Sequence, residues 1–338
     1  MLRGEIYLER MSLPVLGQQE HELREVSYQE YAKNATKNFK TPRHKGISNL
    51  GKPDWLKIRP PSNKYKEVKK KVSGLGLVTV CAESHCPNIS ECWSKGTATF
   101  MVLGDTCTRG CRFCNVKARG QPDAPDANEP QQLVQAVKEM ELDYVVITAV
   151  DRDDLDDGGA QHFANCVKAI KDYDDSILVE VLTGDFQGNT EHLQIVVDAG
   201  VDVLAHNVET VPRLQRRVRD KRANYQQSLG VLVDAKKLNP DVKTKTSMMV
   251  GLGETREEIS QVMDDLRRIN CDIITFGQYL RPSSWHLPVE YYMPPEEFNE
   301  LEDEARNKGF LYCAAGPFVR SSYRAGELFM KGLLEAKQ

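Results

Sequence analysis

The sequence has no apolar run that approaches the length of a membrane-spanning helix, which is about 20 residues. Its first 30 residues contain no apolar core typical of a secretory signal. They are also too acidic for a mitochondrial presequence, because they contain six glutamates, Glu5, Glu9, Glu20, Glu22, Glu25 and Glu30. We therefore expect a cytoplasmic protein, and the odd number of cysteines, nine, agrees with a reducing compartment.

The sequence also lacks a large excess of charge of either sign. Its 45 basic and 49 acidic residues give a net charge of -4, so composition predicts neither a nucleic-acid nor a membrane partner. Charge is uneven locally, because residues 33–71 contain thirteen Lys or Arg and only two acidic residues. This basic arm is either a solvated connection or a surface for an acidic partner.

Cysteine is the most informative residue type, because six of the nine cysteines fall within residues 81–114. They form a first triplet, Cys81-x4-Cys86-x5-Cys92, and a second triplet, Cys107-x3-Cys111-x2-Cys114. Each triplet is one ligand short of a closed four-cysteine site, and an open coordination position is where a metal centre binds something else. Soft thiolate ligands leave zinc and an iron–sulfur cluster as the two alternatives.

The second triplet, with Phe113 beside its last cysteine, resembles the signature of the radical S-adenosylmethionine (SAM) superfamily. That resemblance implies a [4Fe–4S] cluster whose fourth iron binds the amino and carboxylate groups of SAM. It also implies reductive cleavage of SAM to a 5′-deoxyadenosyl radical that abstracts hydrogen from an unactivated carbon. The cofactor carries this chemistry, and the protein supplies binding, orientation and exclusion of water.

The two triplets in this order, together with Ser322 near the C-terminus, resemble the lipoyl synthase family. The resemblance extends over about residues 50 to 330. Ser322 lies in the segment of residues 320–323, and four further segments support the resemblance, residues 52–57, 83–88, 148–155 and 206–211.

The resemblance implies a sulfurtransferase that inserts two sulfur atoms, at C6 and C8 of a protein-bound octanoyl-lysine, to give the lipoyl cofactor. It implies a second [4Fe–4S] cluster, held by the first triplet and Ser322, that donates the sulfur and is broken up. A serine oxygen is a harder ligand than a thiolate, so such a cluster is easier to dismantle. Chemistry alone does not choose between Ser321 and Ser322, and the family pattern points to Ser322.

The implied partners are octanoylated lipoyl carrier domains, such as 2-oxoacid dehydrogenase E2 subunits and the glycine cleavage H protein. An electron donor such as flavodoxin or ferredoxin is also implied. Two other functions remain as alternatives. One is another radical SAM enzyme that inserts sulfur or transfers methylthio groups, and the other is a zinc-stabilised binding module.

Short apolar runs alternate with helical patterns from about residue 97 onwards, which predicts a parallel sheet covered by helices. The six runs are residues 99–103, 144–148, 177–182, 201–205, 244–250 and 273–276. We therefore predict a partial (β/α)6 TIM-like barrel over residues 97–315. It is preceded by a weakly structured extension (1–50) and an auxiliary cluster segment (51–96), and it is followed by a C-terminal segment (316–338) with the serine ligand. Capping boxes are predicted at Asn128 with Gln131 and at Thr255 with Glu258.

Sites in such barrels lie at the carboxyl ends of the strands, and the second triplet follows the first predicted strand. Other polar residues follow later strands, and we predict that they bind SAM: Asp151, Asn207, Glu209, Gly251 and Arg281. For the acidic loop at Asp151 and the glycine at Gly251, a solvated loop and a plain turn are the alternatives.

Other residues of chemically interesting type are expected to be structural. Cys166, Cys271 and Cys313 lie in apolar contexts without ligand spacing, so we predict buried, inert thiols. His206 is expected to be a core histidine. The basic cluster at residues 216–222 is either a solvated helix start or a contact for a carrier or for the SAM carboxylate.

Overall fold

The computed structural model describes residues 53–56, 66, 70, 72, 74, 77–84, 86, 88–89, 92, 99–118 and 120–322. The extension predicted for residues 1–50 and most of the basic arm lie outside these residues. The predicted domain boundaries stay predictions.

An eight-stranded sheet forms the centre of the described structure, in the order β1-β2-β5-β6-β7-β8-β9-β10. Strand β1 is antiparallel to β2, and the remaining strands are parallel to their neighbours. Its strands are β1 (Val78–Thr79), β2 (Thr99–Val102), β5 (Tyr144–Ala149), β6 (Leu178–Leu182), β7 (Val203–Ala205), β8 (Lys243–Val250), β9 (Ile273–Gln278) and β10 (Tyr312–Gly316). A separate two-stranded ladder consists of β3 (Thr106–Cys107) and β4 (Lys117–Ala118).

Helices connect the parallel strands, as right-handed β-α-β crossovers require. They are α1 (Val80–Glu83), α2 (Glu129–Met140), α3 (Ala160–Tyr173), α4 (Thr190–Val197), α5 (Gln215–Val218), α6 (Tyr225–Leu238), α7 (Arg256–Arg268) and α8 (Pro295–Asn307). Helix α7 shows how they pack, because Ile259, Val262, Met263 and Leu266 recur at helical spacing and all four are buried.

The six predicted strands are confirmed as β2, β5, β6, β7, β8 and β9, and the fold class with them. The structure adds β10, which pairs in parallel with β9 over five residues from Tyr312 to Gly316. Its sequence, Tyr-Cys-Ala-Ala-Gly, has small residues in place of the branched or aromatic residues that predict a strand.

The two predicted capping boxes differ in outcome. Thr255 and Glu258 form the reciprocal pair of hydrogen bonds at the start of α7, which confirms that prediction. Asn128 precedes α2 but makes no side-chain cap, so the prediction there is wrong. Its side chain and backbone N–H instead donate to Asp126, a local turn that competes with capping.

Candidate metal centres

The second triplet lies on the loop that leaves the carboxyl end of β2. Cys107 ends β3, and the next nine residues, which include Cys111 and Cys114, return to β4. The Cys114 N–H donates to the Cys111 carbonyl at 3.2 Å, a turn that folds the two cysteines together. All three residues are partly exposed.

Backbone donors surround two of these sulfurs. Arg109 N lies 3.4 Å from Cys107 Sγ, and Asp220 N lies 3.2 Å from Cys111 Sγ. Such N–H groups stabilise a thiolate more than a thiol, because a charged acceptor makes the stronger hydrogen bond.

Burial nevertheless raises the pKa of Cys107 to about 11 and the pKa values of Cys111 and Cys114 to about 12. The protein alone therefore disfavours three neighbouring thiolates, and a bound metal centre would stabilise them. The donor set fits an iron–sulfur cluster.

A buried arginine inside the second triplet fixes this loop to two strand ends. Arg109 is 3% exposed and pairs with Asp153 at 2.8 Å, with Asp185 at 2.7 Å and with Asp151 at 3.5 Å. Asp151 and Asp153 follow β5, and Asp185 follows β6. Burial acts to raise the pKa of Asp185, but Arg109 lowers it to about 2, so this carboxylate stays ionised. Sequence reasoning missed Arg109 and Asp185, because neither residue belongs to a ligand pattern.

Asp151 lies beside the second triplet, as predicted for a residue after the second barrel strand. Its Oδ2 is 4.0 Å from Cys107 Sγ, and its backbone oxygen accepts from Thr108 N at 3.0 Å. Burial raises the pKa of Asp151 to about 6, although Arg109 opposes the rise.

Glu209 lies near Cys114 of the second triplet, and Asn207 is hydrogen-bonded to Glu209. Asn207 Nδ2 donates to Glu209 Oε1 at 3.1 Å, and the negative charge of Glu209 contributes to the raised pKa of Cys114. The buried Asn207 Oδ1 has no hydrogen-bond partner among the described residues. An unpaired buried acceptor next to a carboxylate is suited to a ligand with N–H donors.

The other two residues predicted to bind SAM, Gly251 and Arg281, lie close to other groups of the protein itself. Gly251 has φ of 99°, and a Cβ there would overlap Gln278 and the Tyr291 carbonyl. Arg281 is exposed, and its Nε donates to the His286 carbonyl at 2.9 Å. Binding of SAM by either residue stays a prediction.

The first triplet begins in α1, where Thr79 caps the helix by accepting from Ala82 N at 3.3 Å. Cys81 is buried, whereas Cys86 and Cys92 are partly exposed. Cys86 N donates to the Cys81 carbonyl at 3.0 Å, so a turn brings these two ligands together.

The C-terminal segment, residues 316–322, contacts the first triplet. Asn88 Nδ2 donates to the Phe318 carbonyl, and Thr99 Oγ1 donates to Ser322 Oγ at 2.9 Å. Burial raises the pKa of Cys86, and the nearby Arg320 guanidinium lowers it. The structure thus joins the region of the first triplet to the segment with the predicted serine ligand, more than 200 positions later. Ligation by Ser322 itself stays a prediction.

The residues expected to be structural are buried, and the inertness predicted for the three cysteines stays a prediction. Cys166, Cys271 and Cys313 are buried. His206 is 3% exposed and contacts the Thr183 carbonyl at 3.0 Å and Ser228 Oγ at 2.9 Å. Burial lowers the pKa of His206 to about 4, so the ring is neutral at pH 7.

Comparison with known proteins agrees with this arrangement. A family model described as the Radical SAM superfamily matches residues 101–266. The apicoplast lipoyl synthase of Plasmodium yoelii yoelii is 52% identical over 320 residues, which are 94% of this chain and 64% of that protein. The lipoyl synthase of Anaeromyxobacter dehalogenans is 53% identical over 287 residues, which are 85% of this chain and 97% of that protein. The chain belongs to the lipoyl synthase family.

Lipoyl synthases of several compartments are among its relatives. The apicoplast protein of Plasmodium knowlesi is 54% identical, and this chain covers 65% of it. The chain thus spans just under two thirds of the length of these two apicoplast relatives. No helix among the described residues is long and apolar enough to span a membrane. The cytoplasmic location stays a prediction.

A solved structure supports the fold alone. The FeFe-hydrogenase maturase HydG from Carboxydothermus hydrogenoformans superposes with a TM-score of 0.51 at 15% identity, over 69% of this chain and 65% of that chain. The open parallel sheet of this lipoyl synthase family member is therefore shared with a protein of very different sequence.

The residues of the basic cluster, 216–222, differ in burial and in their partners. Arg219 is buried and donates to Ser228 Oγ at 2.7 Å, and Arg222 pairs with Asp220 at 2.8 Å. Arg216 and Lys221 are exposed and make no ion pair with a described residue. The exposed Arg216 and Lys221 fit the solvated alternative, whereas the buried Arg219 fits neither alternative. A contact with a carrier or with the SAM carboxylate stays a prediction.

Proposed function

We propose that this protein is a lipoyl synthase that inserts two sulfur atoms into octanoyl-lysine on a carrier protein. The observation that carries the proposal is the pair of three-cysteine sites. One lies at the carboxyl ends of the parallel strands, and the other contacts the segment that contains Ser322. Membership of the lipoyl synthase family supports the same assignment.

The second triplet is proposed to hold a [4Fe–4S] cluster that binds SAM. When bound, the cluster supplies the electron that cleaves SAM to the hydrogen-abstracting radical. The chain orients the site through Arg109, which fixes the loop of the second triplet to the ends of β5 and β6. A rigid loop of this kind keeps reacting groups in position, and positioning is much of the protein's contribution.

Polar groups beside the second triplet are proposed to bind SAM. The unpaired Asn207 Oδ1 and the Glu209 carboxylate are acceptors for its ammonium group. Asp151 supplies a carboxylate near the positive sulfonium, and opposite charges attract strongly where water is excluded. Gly251 and Arg281 are proposed for the adenine and carboxylate ends, from their places after β8 and β9.

The first triplet is proposed to hold the second [4Fe–4S] cluster, with Ser322 as fourth ligand and sulfur donation as its role. The partly exposed Arg320 brings a positive charge close to Cys86 and acts to lower the pKa of that thiol, which favours thiolate ligands and an anionic cluster. Cys81 is buried, which limits the access of water to this proposed ligand.

The substrates are proposed to be octanoylated lipoyl carrier domains, and the electrons to come from a flavodoxin or ferredoxin. Both are what membership of the lipoyl synthase family implies, and both suit a reaction that acts on a protein-bound acyl chain and consumes electrons. The reaction site lies at the edge of the sheet where the second triplet is partly exposed.

Anaerobic turnover of reconstituted protein on an octanoylated carrier tests the proposal. The native chain should hold about eight iron atoms, as two four-iron clusters require, and should form lipoyl groups and 5′-deoxyadenosine. Alanine at all three cysteines of the second triplet should abolish 5′-deoxyadenosine. Alanine at all three of the first triplet should preserve SAM cleavage but give no lipoyl product.

The buried thiols Cys166, Cys271 and Cys313 supply a control, since their conversion to Ala should leave the iron content unchanged. Lipoyl formation by protein that lacks the first triplet would contradict the sulfur-donor role. Native protein that stays colourless and binds zinc would support the zinc-stabilised module instead.

A further inference from the structure

Trp285 is the most exposed large apolar side chain among the described residues. It is 60% exposed, against 45% for Tyr173 and 41% for Trp55. The residue lies between β9 and α8, in a loop that leaves the carboxyl end of β9. An exposed tryptophan beside a reaction site is typical of a residue that contributes strongly to a protein interface.

The loop around Trp285 is held in one conformation by its own hydrogen bonds. Tyr279 Oη donates to the Leu287 carbonyl at 2.8 Å, and Ser283 Oγ lies 2.8 Å from His286 Nδ1. The Trp285 ring lies edge-on to His286, with 5.1 Å between the ring centroids. A side chain on an ordered loop loses less conformational entropy when a partner binds.

The same loop is joined to the second triplet. His286 Nε2 donates to the Cys114 carbonyl at 3.0 Å, and Leu287 N donates to the Arg112 carbonyl at 3.3 Å. His286 and Leu287 are both buried, so these links are not exposed to competing water. A partner that contacts Trp285 is therefore held at a fixed distance from the loop that carries the proposed SAM-binding cluster.

Unpaired positive charge lies next to this loop. Arg112 N donates to the Val218 carbonyl at 2.9 Å, which places α5 and the basic cluster beside the second triplet. Arg112, Arg216 and Lys221 are exposed and form no ion pair with the described residues. The nearby Glu290 is already paired with Arg217 at 2.6 Å. These three side chains therefore offer positive charge to a partner.

We propose that Trp285, Arg112, Arg216 and Lys221 form a docking surface for an acidic face of the folded carrier domain. This inference rests on the proposed function and names the surface that receives its protein substrate. A carrier has to bring its octanoyl-lysine to the second triplet, so its surface contacts the residues that border the triplet. An aromatic residue with unpaired cations nearby suits an acidic protein surface, because the aromatic provides affinity and the charges steer the encounter.

The test compares a folded octanoylated carrier domain with a short octanoyl-lysyl peptide as substrates in single-turnover assays, because the proposed donor cluster is consumed. In these assays kcat is the maximal single-turnover rate, and KM is the substrate concentration that gives half of it. For W285A, KM for the folded carrier should rise about tenfold, the loss expected of an interface residue of this kind. The peptide lacks the carrier surface, so its KM should not change. In both cases kcat and SAM cleavage should stay at the native level, because Trp285 binds neither the clusters nor SAM. Y173A, at another exposed aromatic residue, is the matched control and should behave as native.

The charges are tested with the double variant R216E/K221E. Its kcat/KM for the folded carrier should fall several-fold at low salt, and the difference from native should largely vanish at about 0.5 M salt, where screening is strong. For W285A, equal changes in KM for the carrier and the peptide, or no change in either KM, would overturn the proposed docking surface. A W285A variant that alters only the monomer–dimer equilibrium would instead assign this surface to a second copy of the chain. If native protein forms no lipoyl group on either substrate, the proposed function fails, and the docking surface fails with it.

Discussion

One added methyl group at Gly277 is expected to disrupt the proposed metal centre of the first triplet and to leave that of the second triplet intact. It lies in β9 and pairs in register with Gly316 of β10. A Cβ on Gly277 would overlap the Val319 carbonyl oxygen and lie 3.0 Å from Arg320 Nη1. A backbone carbonyl cannot rotate away as a side chain does, so Gly277→Ala has to displace the C-terminal segment.

The expected cost of this displacement is about 1–3 kcal/mol, the usual range for an added methyl group in a packed site. Folded domains have about 5–15 kcal/mol of stability, so the variant should remain folded. The local effect should be larger than the global one, because Thr99 Oγ1 and Ser322 Oγ are only 2.9 Å apart and depend on that segment. A shift of about 1 Å takes such a hydrogen bond beyond its normal range.

Anaerobic reconstitution followed by iron analysis and product assays measures the effect. Iron should fall from about eight to about four atoms per chain as the cluster of the first triplet is lost. Formation of 5′-deoxyadenosine should persist, because no hydrogen bond among the described residues joins the second triplet to residues 316–322. Lipoyl formation should fall to background.

Gly316→Ala is the matched control on the neighbouring strand. Its added Cβ would lie 3.3 Å from Val319 Cγ2, a methyl group that can move by rotation of the side chain. This variant should keep both clusters and cost about 1 kcal/mol or less. A Gly277→Ala protein with native iron content and lipoyl yield would refute the reasoning, and so would a loss of SAM cleavage equal to the loss of lipoyl.

Three further variants test Ser322, Asp185 and His206. Ser322→Ala should reduce lipoyl yield and iron content more than Ser321→Ala, and equal small effects would argue against either serine as a ligand. Asp185→Asn leaves Arg109 with one fewer partner and should cost about 3–5 kcal/mol in urea unfolding, as removal of one member of a buried ion pair does. The pKa of His206 is lowered from 6.5 to about 4, so the unfolded chain binds the extra proton and stability falls as pH drops below 6.5. His206→Gln should lessen that fall by about 1 kcal/mol between pH 7.5 and 5.5, and an unchanged pH dependence of urea unfolding would contradict the shift.

Local sequence pattern predicted most of the sheet, because a buried parallel strand needs a continuous apolar run. Six strands followed that rule. Strand β10 did not, since its small residues leave room for the neighbouring C-terminal segment and carry little strand propensity of their own. The capping pattern at Asn128 failed because its side-chain amide donates to Asp126, while its side-chain oxygen accepts no hydrogen bond from the helix.

The sequence by itself determined the two ligand triplets, because metal ligation depends on residue type and short spacing. It also determined the alternation of strands and helices, which depends on local periodicity. Only the tertiary structure revealed Arg109 held by Asp185, the Gly277 contact with Val319, and the exposed Trp285 next to the second triplet. These features join residues from distant parts of the chain. Their energy comes from burial, charge pairing and close backbone contact, which exist only once the strands and loops have come together.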